Sequence, residues 1–153
     1  MKVRPEETAL NEGLAHLERA LLTPVIPGEL EMWAKAVQDA TTALAQPLAR
    51  YVQEILHEQY AQIAKTDPEM LPRVEQLIAT DKAILEDFQK FQAKVARLVE
   101  RAPAAKKDEN KVAALLTEIE KEGTALIIGI RKQQAAASTW LDEALYRDRG
   151  PVD

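Results

Sequence analysis

The sequence predicts an all-α protein, an up-down four-helix bundle, and three observations carry that expectation. Ala, Leu, Glu, Lys and Gln dominate while glycine occurs only 5 times in 153 residues, and the common residues are the strong helix formers. Apolar residues recur at three- and four-residue spacings in four separate segments, which puts them on one face of each segment. Alternating β-branched runs and Asn-Gly turns, the marks of strands and hairpins, do not occur.

The first helix is expected over residues 5–22. Leu10, Leu14, Leu17 and Leu21 share one face. Pro5 suits a first-turn position, where its missing N–H costs nothing. Two prolines and a glycine in Thr23-Pro-Val-Ile-Pro-Gly28 then break the helix.

The second helix is expected over 29–65, with Leu30, Trp33, Val37, Ala40, Leu44, Leu48, Tyr51, Val52, Ile55, Leu56 and Ile63 on a broad apolar face. Pro47 lies inside it, where it removes one backbone hydrogen bond and crowds the preceding turn. The stripe stays in phase across Pro47 and no turn residues flank it, which favours a kink over a break.

Asp67-Pro68 reads as an N-cap followed by proline at the first helical position. The third helix is expected over 68–101, with Leu71, Val74, Leu77, Ile78, Leu85, Phe88, Phe91, Val95 and Leu98 at near-heptad spacing. Pro103 and the charged run Lys106-Lys-Asp-Glu109 read as a solvated connection. The fourth helix is expected over 108–147, with Val112, Leu116, Ile119, Leu126, Ile127, Ile130, Leu141 and Leu145 inward and Gly150-Pro151 as its stop. A single bundle over residues 1–153 buries all four stripes. A long helical hairpin that dimerises would use the same stripes.

Charge and composition exclude several functions. A formal charge of −5 without a Lys/Arg cluster argues against nucleic-acid binding. The absence of cysteine removes disulfides, thiolate metal sites and a Cys nucleophile, and fits a cytoplasmic location. Met1 to Leu10 has no apolar core, so it is not a signal peptide, and no apolar run reaches the roughly 20 residues of a membrane span. Both signs of charge on the polar faces weaken a lipid-coating role.

Catalytic signatures are missing too. There is no Walker loop, dinucleotide fingerprint or G-x-S-x-G elbow. His16 and His57 are the two histidines and Ser138 the one serine, and their spacing does not favour a triad. Glu54-Ile-Leu-His57 puts a carboxylate and an imidazole on one helical face, as di-iron bundles require, but a second such pair is absent.

More informative are polar residues within the apolar stripes. Asp81 stands where the third helix calls for an apolar side chain, Gln133 and Gln134 interrupt the fourth, and Gln53 flanks the second near Leu56. A buried carboxylate is costly unless paired or protonated, and buried amides need partners. Three readings stay open: a polar pocket of Gln53, His57, Asp81, Gln133 and Gln134, a hydrogen-bonded network that fixes helix register, or side chains at the edge of the interface with their tips in water. Trp33, Trp140, Tyr51 and Tyr60 fit either the core or the lining of a pocket.

Leu30-Glu-Met-Trp33, the stretch from Asp67 to Leu77, and Leu141-Asp-Glu-Ala-Leu-Tyr-Arg-Asp-Arg-Gly150 resemble bacterial hemerythrin-like (HHE cation-binding type) bundles over about residues 29–153. The resemblance implies a four-helix bundle with a ligand layer inside it. That family binds two irons through several histidines and carboxylates. This sequence departs from the pattern, with Gln53, Asp81 and Gln133 where such histidines are expected, and glutamine is a poor iron ligand beside imidazole. The expectation is therefore a degenerate, non-enzymatic bundle without a cofactor, acting in protein interaction, self-association or small-ligand sensing. The alternative is a metal-binding bundle using Glu54, His57 and Asp81.

Overall fold

A computed structural model describes residues 5–105 and 108–148. The expected stop at Gly150-Pro151 and the lysine pair 106–107 lie outside these residues. Helix α1 spans Pro5–Leu22 and buries Leu10, Leu14, Leu17 and Leu21, the four leucines that its spacing puts on one face. Each fully buried leucine contributes roughly 1.5–3 kcal/mol relative to exposure. Thr23 ends the helix by returning its hydroxyl to the Arg19 carbonyl at 2.7 Å.

The connection to the next helix is pinned at both sides. The Trp33 indole N–H donates to the Thr23 carbonyl at 2.8 Å. Gly28 turns the chain with φ +90, a backbone region that glycine reaches without a steric penalty. Its N–H donates to the Glu109 carboxylate at 2.8 Å, tying this turn to the start of the last helical segment.

Helix α2 runs Leu30–Arg50 and contains Pro47, so proline does not break it. A six-residue π-helical segment, Tyr51–Leu56, follows, and α3 continues over His57–Thr66. Asp67 then caps the 3₁₀ turn Pro68–Met70 by accepting from the Glu69 N–H, with Pro68 in the first turn. Helix α4 occupies Leu71–Arg101. A second 3₁₀ turn, Glu109–Val112, is capped by Asp108 and leads into α5 at Ala113–Asp148. All the regular structure among the described residues is helical.

The helices pack as four rods, the second of which is α2, the π segment and α3 in sequence. Helix α1 lies against α2 and α5, and α4 lies against α2 and α5. Helix α3 contacts both α5 and α4. The apolar faces meet in one interior, with Phe91, Leu14, Leu44, Leu98 and Ile119 almost completely buried. Ion pairs sit on the outside: Arg131 of α5 forks onto Glu18 of α1, and Lys94 of α4 meets Glu122 and Glu118 of α5.

Two stripes differ in detail from the sequence expectation. Helix α4 buries Val74, Leu77, Asp81, Ile84, Phe88, Phe91, Val95 and Leu98, a strict alternation of three- and four-residue steps. Leu71 and Ile78 are therefore exposed, and Leu85 yields the interior to Ile84. Where two apolar residues are adjacent, the heptad phase decides which faces inward. In α5, Leu115 is buried and Leu116 only partly, while Ala137 and Ala144 reach the core and Leu141 is half-buried.

Candidate functional site

A π turn adds one residue to a helical turn and shifts the phase of everything after it. That shift builds the site. Leu44, Leu48, Tyr51 and Ile55 follow one α-helical face, which would next bury positions 58 or 59 and 62. Instead Tyr60 and Ile63 are buried, and Glu58 and Gln62 are exposed. The displacement is one residue, and it carries the Tyr60 ring into the interior toward α4 and α5.

Asp81 occupies a core position of α4 and is 4% exposed. On α5, Gln133 sits in the equivalent stripe and is also buried. Its side-chain N–H₂ donates to the Leu77 carbonyl at 2.7 Å and to the Tyr60 hydroxyl at 3.3 Å. Both amide protons are thereby engaged. The Asp81 Oδ1 atom is buried and accepts no hydrogen bond. Burial raises the Asp81 pKa above the ordinary carboxylate range, while the nearby Tyr60 hydroxyl and Gln133 amide act in the opposite direction. The Tyr60 phenol is itself pushed above its usual range, first by burial and then by Asp81. Tyr51 shifts the same way, through burial and then the charges of Glu7 and Asp81.

Asp81 forms part of the lining of a cleft of about 350 Å³ between the π segment, α3 and α4. Val52 and Ile78 supply apolar wall, Tyr60 and Asp81 the polar floor, and Gln53, His57 and Lys82 the exposed rim. Behind the carboxylate is a gap of about 10 Å³ lined mainly by Leu48, Tyr51, Leu56, Ile84 and Ile130. That space is at the lower limit for a single water and is mostly apolar. A second groove, about 300 Å³ between α4 and α5, is lined by Asp87, Lys90, Lys94 and Glu122. Its charges are partly exposed, and the Lys94 and Glu122 side chains already satisfy each other.

Of the five sequence-predicted pocket residues, four lie at or beside this cleft. Asp81 lines it, Gln53 and His57 rim it, and Gln133 stands behind Asp81 at the small gap. Gln134 is placed elsewhere: its amide donates to Asn11 of α1 at 2.9 Å, on the α1 side of α5. Glu54 is exposed and lies 3.6 Å from Arg50, and it does not line the cleft. Among the described residues, no three His, Asp or Glu side chains are grouped so as to hold a metal ion. Of the aromatics, Tyr60 and Tyr51 reach the Asp81 region, Trp33 serves the α1–α2 connection, and Trp140 lies 5.0 Å beneath the Arg73 guanidinium.

Sequence reasoning did not find the π segment or Lys82. The π segment has a visible trace: the adjacent apolar pairs Tyr51-Val52 and Ile55-Leu56 mark the point where one stripe hands over to another. Lys82 left no pattern, because an exposed lysine beside a core position is ordinary. Among the described residues no helix is long and apolar enough to cross a membrane. No protein-family model matches the chain, and no curated protein or solved structure is significantly similar to it.

Proposed function

We propose that this chain is an up-down, hemerythrin-like four-helix bundle that binds a small organic molecule, without turning it over, in the cleft in front of Asp81. The neighbour relations support the topology, since each rod packs against those before and after it and α1 closes on α5. The observation that carries the ligand reading is a buried carboxylate, Asp81, in the lining of a cleft of about 350 Å³, with its Oδ1 atom left without a hydrogen-bond partner. A buried acceptor without a partner costs about 1–3 kcal/mol, and a molecule that brings a donor removes that cost. Apolar walls with a few convergent polar groups are the usual make-up of a small-molecule site.

Binding is tested by recording the amide NMR spectrum of the whole chain while small alcohols and amines are titrated in. Shifts gathered at residues 52–60 and 78–82, abolished in Asp81→Leu, support the reading. Shifts scattered over the surface, or unchanged in Asp81→Leu, overturn it. Elemental analysis of protein purified without chelator tests the competing metal reading, which draws on His57 and Asp81 sharing the cleft. Stoichiometric iron, manganese or zinc would replace the organic ligand with a metal.

A further inference from the structure

We infer that the molecule accepted by this cleft is a short ω-amino acid, bound with its ammonium on Asp81 and its carboxylate at the Lys82 rim. This inference rests on the cleft being a ligand site and adds the chemical class.

The cleft is graded in polarity along its depth. At its floor lies the buried Asp81 carboxylate, one oxygen of which accepts no hydrogen bond. Within the protein the neighbouring donors are Gln133, whose two protons go to Leu77 and Tyr60, and the Tyr60 hydroxyl, which favours the carboxylate but leaves Oδ1 unbonded. A primary ammonium brings three donors and a full positive charge. It forms a charge-assisted hydrogen bond to the carboxylate and neutralises it. A hydroxyl or neutral amide supplies a donor but leaves the buried charge uncompensated.

Above the floor, Val52 and Ile78 present hydrocarbon. Ile78 is 48% exposed, high for a large apolar side chain on a packed helix. A short methylene chain between the two ends of the ligand would cover these residues.

The rim reverses the sign. Lys82 carries a positive charge one residue along from Asp81, and Gln53 and His57 add hydrogen-bonding groups. The pair of opposite charges selects for a ligand with both. A plain alkylamine meets Asp81 but faces the Lys82 charge. A plain carboxylate meets Lys82 but leaves Asp81 unmatched. A zwitterion with its charges separated by a few methylenes satisfies the two together, and the volume of about 350 Å³ admits a molecule of that size.

Calorimetric titration of the full chain with δ-aminovalerate, n-pentylamine and valerate tests the assignment. δ-Aminovalerate is expected to bind about tenfold or more tightly than either single-ended probe, the effect of one charged hydrogen bond. Asp81→Asn should weaken δ-aminovalerate by about the same factor, since the amide loses the charge but keeps the shape. Lys82→Gln, on an exposed side chain, should weaken δ-aminovalerate and leave n-pentylamine unchanged or improved. Equal or tighter binding of valerate, or no loss in Asp81→Asn, overturns the assignment. If isopropanol shifts the cleft amides and δ-aminovalerate does not, the amino-acid class falls and the ligand site stands. If neither probe shifts them, both fall.

Discussion

The side-chain amide of Gln133 on α5 donates to the backbone carbonyl of Leu77 on α4 at 2.7 Å, within a buried interface. This single bond fixes the rotation and the height of α5 against α4 at the level of the cleft. It also holds the amide so that its other proton reaches Tyr60. Apolar packing alone tolerates small slides between helices, whereas a buried directional bond does not.

Replacing Gln133 with alanine removes two hydrogen bonds and opens space in the interior. The variant is expected to lose about 2–4 kcal/mol, from cavity formation and from leaving the Tyr60 hydroxyl without its donor. Gln133→Leu fills the space and should lose less, about 1 kcal/mol. Urea denaturation of the two variants beside the parent checks the order. A leucine variant less stable than the alanine variant would contradict it.

Asp81 contributes to stability in a pH-dependent way. Its pKa in the folded chain is raised above the ordinary 3.8, chiefly by burial. The folded state therefore keeps a proton that the unfolded chain releases. As pH rises from 3.8 through the raised pKa, folding stability falls, and below 3.8 both states are protonated and the penalty is absent. Asp81→Asn does not titrate, so its stability advantage over the parent should be near zero at low pH and grow toward neutrality. Asp81→Leu at neutral pH is expected to be neutral or stabilising by about 1 kcal/mol or more, while ligand binding is lost. A parent chain that instead gains stability relative to Asp81→Asn as pH rises would show the carboxylate to be favourably paired.

Much of this arrangement was legible in the sequence. Leu10, Leu14, Leu17 and Leu21 specify the inner face of α1 without help from the rest of the chain, because 3.6 residues per turn leaves one solution. Asp81 and Gln133 stood out because each interrupts an apolar stripe at a core position. What periodicity could not give was which of two adjacent apolar residues turns inward, as at Ile84-Leu85. It also missed the phase change at Tyr51–Leu56. Counting at a fixed period assumes an unbroken α-helix, and one inserted residue defeats it. Gln134 was misplaced for a related reason. Its neighbour Gln133 takes the buried position, and 100° of rotation carries Gln134 to the α1 side.

Two glycines of α5 should respond to alanine in opposite directions. A Cβ at Gly123 would lie 2.6 Å from Leu21 Cδ1 and 3.0 Å from the Phe91 ring. Overpacking of that kind costs about 1–3 kcal/mol, against a helix-propensity gain of about 1 kcal/mol. Gly123→Ala is therefore expected to be neutral or destabilising. A Cβ at Gly129 meets nothing within 4 Å, so Gly129→Ala should stabilise by about 1 kcal/mol through propensity alone. Thermal unfolding of both variants decides the matter, and a destabilised Gly129→Ala would show that the α4–α5 groove needs the space.

Deleting Gln53 tests whether the π segment exists to build the cleft. Gln53 is exposed and lies inside Tyr51–Leu56. Removing one residue there allows the helix to run through as regular α. Leu56, Tyr60 and Ile63 then fall one position earlier, onto the continuing face set by Leu44, Leu48 and Tyr51. The core is thereby preserved, and the unfolding midpoint should stay within about 4 °C of the parent, the equivalent of roughly 1 kcal/mol for a chain of this size. Tightening the turn also withdraws the wall that carries Val52 and the rim that carries His57, so binding of the amine probes should be lost. Helical content by circular dichroism and calorimetric titration separate the two effects. A variant that unfolds would mean the π turn is required by the packing itself, and one that binds normally would mean the cleft does not depend on it.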